Sequence, residues 1–498
     1  MNALFLALAV VLPALFWWTE TDRLDLPKQA CLLAVALAGL GWLILRAGKH
    51  RIDAISLSLA AALLGMLALA PAEAAARVEG WAGLMAALWV VLGARETEAE
   101  RLRAWLARLA LGLAGLAWLQ AAGLPLFNAG IEGFEGRRVL GTLGGPGHLG
   151  WMLAGLLPWL GWGLWNRERC WRWSAGVGIV LGAVVLSGSR TAWVMTAVGL
   201  PFWLPVDRKR LLALGAVALV ACSLAVGLDA HARHARLGDR IEDLSESQGT
   251  ARGRLYVWQV HLSALTDLLV SPGAGPEGFQ RSWPAWQAHF LATHPELEPF
   301  RSDLRHAHAD AVELLCDLGP GGLALAIGIL VIAVRRRRAG GHPFRDPVLG
   351  CLIVLLAGGL AAPLWSFAPT LALASLCLGL RLGPMRRPLF AYSGAVLLAA
   401  LLAASACLGL RLGSEIVRAE ASRARLAAQP VQARSLAERA AEIDARNPLA
   451  WIELAMDCAQ LRDEGCLCQA LQQAARDLPT DAVVEALARC ERPARASR

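Results

Sequence analysis

Three short stretches combine arginine, histidine and glycine in patterns that could handle an anion and a proton. The first, RRVLGTLGGPGHLG at Arg137–Gly150, sets paired guanidinium groups ahead of a glycine-rich turn and a helix start. Guanidinium forks and free backbone N–H groups at a helix N-terminus both suit an anion. The second, LSGSRTAW at Leu186–Trp193, is a tight reversal between apolar runs, and it holds Arg190 where an arginine is costly unless it binds something or reaches water. The third begins with GRLYVWQVHLSAL at Gly253, passes through SPGAGPEGF at Ser271–Phe279 and ends in RHAHADAVELLCDLGPGG at Arg305–Gly322. There His306 and His308 precede a mostly apolar helix. An imidazole at such a boundary can take a proton from an alcohol near neutral pH, close to whatever Arg190 and Arg254 bind. The same HxH pair with Asp310 could instead hold a metal, but no second ligand cluster stands at a recognisable spacing.

The elements that must position these residues are membrane helices. The chain has 498 residues, 56% hydrophobic and only 18% charged, with a mean hydropathy of +0.47, which excludes an ordinary soluble protein. About thirteen apolar stretches approach the roughly 20 residues that cross a bilayer. They are Asn2–Trp18, Lys28–Leu45, Ala54–Ala72, Gly80–Gly93, Trp105–Leu124, Gly147–Trp165, Ser174–Leu186, Ala192–Val206, Leu211–Leu228, Ala311–Val334, Val348–Phe367, Leu371–Leu380 and Phe390–Leu410. The first lacks a basic n-region and a cleavage site, so it reads as a retained helix rather than a signal peptide.

Charge orients them. Six alternate short loops hold 20 Lys and Arg, whereas the loops between them hold 6. Positive charge is retained on the cytoplasmic side, so the N-terminus is expected inside, and the loop Asp229–His308 and the C-terminal tail outside. The net charge of +8 is thereby topological, and no nucleic-acid partner is expected. Of ten histidines only His50 and His342 fall inside, so any chemistry faces outward.

The long loop is rich in tryptophan and is expected to fold, facing the membrane. The tail, 411–498, reads as a small helical region with one TPR-like helix-turn-helix at Ala437–Ala455, a device for binding a protein partner. Cys458, Cys466, Cys468 and Cys490 all lie there, and in an oxidising compartment they could form one or two disulfides. Their CxC spacing lacks the paired CxxC of a structural zinc site.

LSGSRTA, then GRxxxW, then a glycine stretch with Ser271, Pro272, Gly273, Gly275 and Phe279, then HxH and DLGPGG, resemble in order and sidedness the O-antigen ligase and polymerase superfamily. The resemblance covers roughly 136–380. It implies an all-α, GT-C-like polytopic protein of about 12–13 transmembrane helices: a membrane domain at 1–410 with its periplasmic loop at 229–307, in a bacterial inner membrane. It further implies an inverting, metal-independent glycosyltransferase without a cofactor. The donor would be a polyprenyl-diphosphate-linked glycan, meeting the enzyme among membrane lipid. The acceptor would be lipid A core, another glycan or a protein, as in a ligase, a polymerase or a protein O-oligosaccharyltransferase. Carried over, Arg190 and Arg254 grip the diphosphate with Arg137 and Arg138 nearby, His308 activates the acceptor hydroxyl, and His306 and Asp310 assist. Two positions depart from the family: its GNPNxLG is GGPGHLG here, and its Asn after the second His is Ala309. A lipid transporter or flippase is the alternative of another class. It would need ionisable groups along the spans, and the apolar segments carry few beyond Glu313 and Asp317.

Overall fold

The computed structural model describes residues 3–15, 99–124, 139–166, 170–205, 207–233, 250–271, 273–275, 278–302, 304, 306–336, 346–364, 367–382, 413–445, 447–477, 483 and 486–490, with 28, 31–32, 34–35, 90–91 and 94 as isolated positions. The expected spans Ala54–Ala72 and Phe390–Leu410 lie outside these residues, as do most of Lys28–Leu45 and Gly80–Gly93.

Among the described residues the chain is helix and turn without strand, an all-α polytopic membrane protein. The membrane part begins with α1 (Ala3–Leu15), α2 (Ala99–Ala121), α3 (Pro146–Asn166), α4 (Cys170–Ser187), α5 (Arg190–Trp203) and α6 (Arg208–Arg233). The long loop contributes α7 (Thr250–Ser263), α8 (Leu265–Val270) and α9 (Gly278–Thr293), then a 3-10 turn at Pro295–Phe300. The chain re-enters the membrane part with α10 (Asp310–Arg335), α11 (Pro347–Gly359) and α12 (Ala368–Leu382). By length and composition α2, α10 and residues 208–228 of α6 can cross a bilayer, and α11 and α12 are shorter apolar helices.

One expected span is shorter than its apolar run. Val348–Phe367 is helical only to Gly359, after which 360–364 form a turn. The Gly358–Gly359 pair weakens the helix, and Pro363 lacks an N–H and disfavours helical geometry at Ala362.

The hub is α3, which packs on α2, α4, α5, α11 and α12. Leu153, Leu156, Leu157, Trp159 and Leu160 on it are fully buried. Lipid tails are as apolar as these side chains, so close packing through small residues holds such helices together. Gly161 of α3 accepts the base of the Trp203 side chain and Gly163 the ring of Trp173, and neither position leaves space for a Cβ.

Some of the basic residues that orient the chain also close helix ends. Arg210 donates to the carbonyl of Leu164 at 2.7 Å. Arg381 donates through Nε to the carbonyl of Ala333 at 2.9 Å and pairs with Asp346 at 2.5 Å, tying together the same end of α10, α11 and α12. Helix C-terminal carbonyls lack intrahelical partners, and a cation there satisfies both the lone pairs and the dipole.

The long loop folds as expected over its described residues. Tyr256, Val260, Phe279, Trp283 and Phe290 form a core that continues onto Leu315 and Cys316 of α10. Tyr256 Oη donates to Gln287 Oε1 at 3.0 Å and Trp283 Nε1 to the Ser302 carbonyl at 2.7 Å. Residues 234–249 lie outside the description.

The tail builds its own core from a helix at 413–426 (α13), α14 (Pro430–Ile443), α15 (Pro448–Gln460) and α16 (Glu464–Asp477). Asn447 caps α15 by accepting from Leu449 N, with Pro448 at the first helical position, the break expected from the Asn-Pro pair. Arg418 pairs with Glu415 and Glu453, and Arg425 with Glu453 and Asp457, so this small-residue core is fixed by buried ion pairs. Two disulfides join Cys458 to Cys466 and Cys468 to Cys490.

The second disulfide closes a 22-residue separation, and opening a loop of that size costs about 3 kcal/mol. Hydrogen exchange on the full chain should therefore show α16 amides of Cys468→Ser exchanging about a hundredfold faster than wild type. Unchanged protection of α16 would mean that the bond contributes nothing to the tail.

Candidate active site

The site is built around the start of α10. His308 has φ 54°, a left-handed conformation that a non-glycine residue adopts at a cost of about 1–2 kcal/mol. It folds the preceding residues back over the first turns of the helix. Glu313 holds them there: one carboxylate oxygen accepts from Ala307 N at 2.8 Å and lies 3.1 Å from His306 Nδ1. Ala309 is the N-cap residue and makes no side-chain cap. The asparagine usual in the family would supply one, since Asn is among the best N-cap residues and Ala among the poorest.

Seven residues further on, the glycine loop closes over a break in the same helix. Gly319 sits at φ 67°, ψ −177° and is followed by Pro320, which cannot donate. The carbonyls of Cys316 and Asp317, left without helical partners, accept from Ala274 N at 2.7 Å and Gly275 N at 2.9 Å. Asp317 Oδ1 accepts from Gly278 N at 2.9 Å. SPGAGPEGF and DLGPGG are thus two halves of one joint. Glu313 and Asp317, the acids within an expected span, both serve this external loop.

His261 on α7 faces the same corner. It is 5% exposed and lies edge-on to Phe279 and Trp283 at 5.2 and 5.6 Å. Neither ring nitrogen has a hydrogen-bond partner among the described residues. Burial pushes its pKa down from 6.5 to about 4; Glu313 opposes the shift and His308 adds to it. Between those values the unfolded chain binds a proton that the folded loop refuses, so stability falls as pH drops from about 6.5 towards 4. At pH 5 the loss is about 2 kcal/mol. Hydrogen exchange in α7 and α9 should report this loosening, and His261→Phe should remove the pH dependence; a wild-type loop equally protected at pH 7 and pH 5 would refute it.

The other two motifs meet each other. Gly188, at φ 61°, turns the chain into α5, and Ser189 caps that helix by accepting from Ala192 N at 3.3 Å. Arg190 follows as the first helical residue, half-buried. Gly150 in the first turns of α3 lies directly against this turn; a Cβ there would stand 2.7 Å from both Ser187 Oγ and the Ala192 Cβ. The glycine-rich segment before α3 is held by groups that sequence reasoning passed over. Gln120 Oε1 accepts from Leu140 N at 3.1 Å and Gly141 N at 2.9 Å. Lys28, fully buried, donates to the carbonyls of Thr142 at 2.7 Å and Pro13 at 3.0 Å.

The end of α11 joins the two halves. Gly358 lies against Met195 of α5, and Gly359 lies against the buried carboxylate of Asp310, again without room for a Cβ. In the turn beyond, Phe367 stacks on His148 at 4.0 Å, and His148 also meets Trp151 edge-on at 5.1 Å. His148, at the position that the family motif leaves open, is therefore part of an aromatic cluster beside the glycine turn.

His306, His308 and Asp310 thus share the start of α10, and Arg190 opens α5, whose Met195 meets the same end of α11 as Asp310. Arg254 lies in the first turns of α7, though its side chain is outside the description, as are Arg137 and Arg138 altogether. Among the described residues no group of three His, Cys, Asp or Glu side chains comes together as a metal site.

Residues 175–327 match the family described as O-antigen ligase. That segment is an O-antigen ligase domain. The matched segment runs from α4 to the middle of α10 and contains Arg190, Arg254, His306 and His308 together with both halves of the glycine joint. The glycine-rich turn before α3 and the Gly358–Gly359 pair lie outside it. No curated protein matches the chain. The O-antigen ligase segment therefore supplies the arginine turn and the histidine turn. Helices beyond it pack on each: α3 on the arginine turn through Gly150, and α11 on Asp310 through Gly359. The signals for those outer contacts were the Gly-Gly pair at 358–359 and the lone lysine at the start of an apolar run, both of which read equally well as packing and as an orientation charge.

Proposed function

We propose that this protein moves an oligosaccharide from a polyprenyl-diphosphate carrier to an acceptor hydroxyl at the periplasmic face of the inner membrane, as an O-antigen ligase does with lipid A core. The observation that carries the reading is the match of residues 175–327 to O-antigen ligases, a segment that holds both the capped Arg190 turn and the His306–Asp310 turn, with α5 and Asp310 meeting the adjacent Gly358 and Gly359. His308 takes the proton of the acceptor hydroxyl as its oxygen bonds to the anomeric carbon. The bond from that carbon to the carrier diphosphate breaks, and the electron pair leaves on the diphosphate. Attack opposite the leaving group inverts the centre. Arg190 and Arg254, with Arg137 and Arg138 as further diphosphate-binding residues, stabilise the charge that builds on the diphosphate, the role a divalent metal plays elsewhere.

The membrane domain spans 1–410 in this reading, and the tail from 411 faces the same compartment as the site. The two disulfides support an oxidising location for it, and its helical hairpins favour a protein partner or protein acceptor as the second reading.

Purified protein in liposomes, given a polyprenyl-diphosphate glycan and either lipid A core or candidate proteins, tests the proposal. Transfer should persist in chelator and be lost in His308→Ala. Chelator-sensitive transfer, or full activity without His308, would overturn the mechanism, and carrier-linked glycan merely crossing the bilayer would replace it with transport.

A further inference from the structure

Helices α7 and α8 carry two apolar faces, and only one is used inside the protein. Tyr256, Val257, Val260 and Leu268 point into the loop core. On the opposite side Leu255, Trp258, Leu262, Leu265 and Leu269 recur at spacings of three, four, three and four, and Val270 follows at the end. All six are exposed, Trp258 at 43%, Leu262 at 67% and Val270 at 81%. Soluble surfaces seldom present such a continuous strip, and where they do it marks something that covers it.

The joint with α10 fixes the depth of this strip. Arg335 and Arg336 close the inner end of α10. Counting back from Arg335 at 1.5 Å per residue, a hydrocarbon core of about 30 Å reaches its outer boundary some 20 residues earlier, near Cys316. That is the level at which Ala274 and Gly275 hydrogen-bond to the carbonyls of Cys316 and Asp317, and at which Gly273 touches the backbone of Leu318 and Gly319. Val270 is three residues from Gly273, so the end of the strip stands within about 10 Å of the hydrocarbon boundary. The apolar helices before and after the loop, α6 and α10, likewise expose Leu219, Val220, Leu224 and Ile327. A tryptophan in an amphipathic surface at that level is the pattern of an interfacial anchor.

We propose that the exposed face of α7 and α8 lies in the outer boundary of the bilayer, with acyl chains as its occupant. The loop that carries His261 and the backbone of Arg254 is thereby held flat on the membrane, at the height where a lipid-linked substrate would present its headgroup. This inference uses no property of the transfer reaction and stands or falls separately from it.

The test is photolabelling of the full-length protein by a phospholipid carrying a diazirine at the end of its acyl chain, read by peptide mass spectrometry in native membranes and in liposomes of the same lipid. Leu255, Trp258, Leu262, Leu265, Leu269 and Val270 should label as strongly as Leu219 and Leu224 of α6, and the neighbouring exposed Asp267 far less. Labelling at the level of Asp267 in both preparations would overturn the proposal. Labelling in liposomes that vanishes in native membranes would overturn it too, because a protein would then be the natural occupant.

Discussion

Arg190→Ala should lower glycan transfer by about a thousandfold, roughly 4 kcal/mol of transition-state stabilisation, while the protein stays folded. Two features of the turn argue for so large an effect. Arg190 is the first residue of α5, at the positive end of the helix dipole, where a bound anion is favoured by charge and by backbone alike. The turn is also rigid: Gly188 is left-handed, Ser189 caps the helix, and Gly150 of α3 is pressed against both sides of it. A group held in place before the reaction loses little to reorganisation when the diphosphate charge develops. Most of the loss should appear in kcat, because that charge grows as the bond breaks. Arg190→Lys keeps the charge but not the planar fork, and should recover about one to two of the three lost decades. Steady-state transfer rates at saturating donor decide the matter, and a variant within about threefold of wild type would remove Arg190 from the chemistry.

How far this site could be read from sequence depends on the kind of constraint each residue answers to. Arg190, His306 and His308 were legible because a charge or an imidazole at the edge of an apolar run has few reasons to be there. The glycine loop was legible as a motif, but its partner was not. Nothing in SPGAGPEGF says that its N–H groups would be taken by the carbonyls of Cys316 and Asp317, because the donors and acceptors are backbone and carry no sequence signature. Gly359 was hidden for a related reason, since small residues mark close approach without naming what approaches. Lys28 was visible but ambiguous: a lysine at the start of an apolar stretch counts as an orientation charge until the carbonyls of Pro13 and Thr142 are found around it. His261 gave no signal, standing in the last turn of α7 between apolar neighbours, and only its depth makes it a titrating group of interest. The spans that fall on described residues were read from hydropathy to within a few residues, α2 starting at Ala99 rather than Trp105, except at the end of α11, where the apolar run continues through a turn that the Gly-Gly pair and Pro363 impose.

Gly273→Ala should be severely damaging for a single added methyl, costing on the order of 4 kcal/mol or more. Gly273 has φ 94°, a conformation that side chains rarely adopt, so the backbone alone resists the change. The added Cβ would also stand 2.6 Å from Gly319 N and 2.7 Å from both the Asp317 carbonyl oxygen and the Leu318 carbonyl carbon. All three are backbone atoms of the broken turn of α10, which cannot swing aside as a side chain would. The loop must therefore lift, and lifting it breaks the bonds from Ala274 N and Gly275 N, returning two buried carbonyls to an apolar setting at about 1–3 kcal/mol each. The damage should stay local at first. Hydrogen exchange in the full chain should rise in α8, α9 and the first turns of α10, while α3, α4 and α5 keep their protection. Transfer activity should fall with it, because Leu315 and Cys316 of α10 share the loop core with Ala307, next to His308. Serine at 271 offers a contrast within the same loop. Ser271→Ala removes only the hydroxyl that accepts from Gly273 N at 3.1 Å and should cost about 1 kcal/mol. If Gly273→Ala were no more harmful than Ser271→Ala, the glycine loop would not be seated on the Gly319 break, and the joint that positions His308 would have to be sought elsewhere.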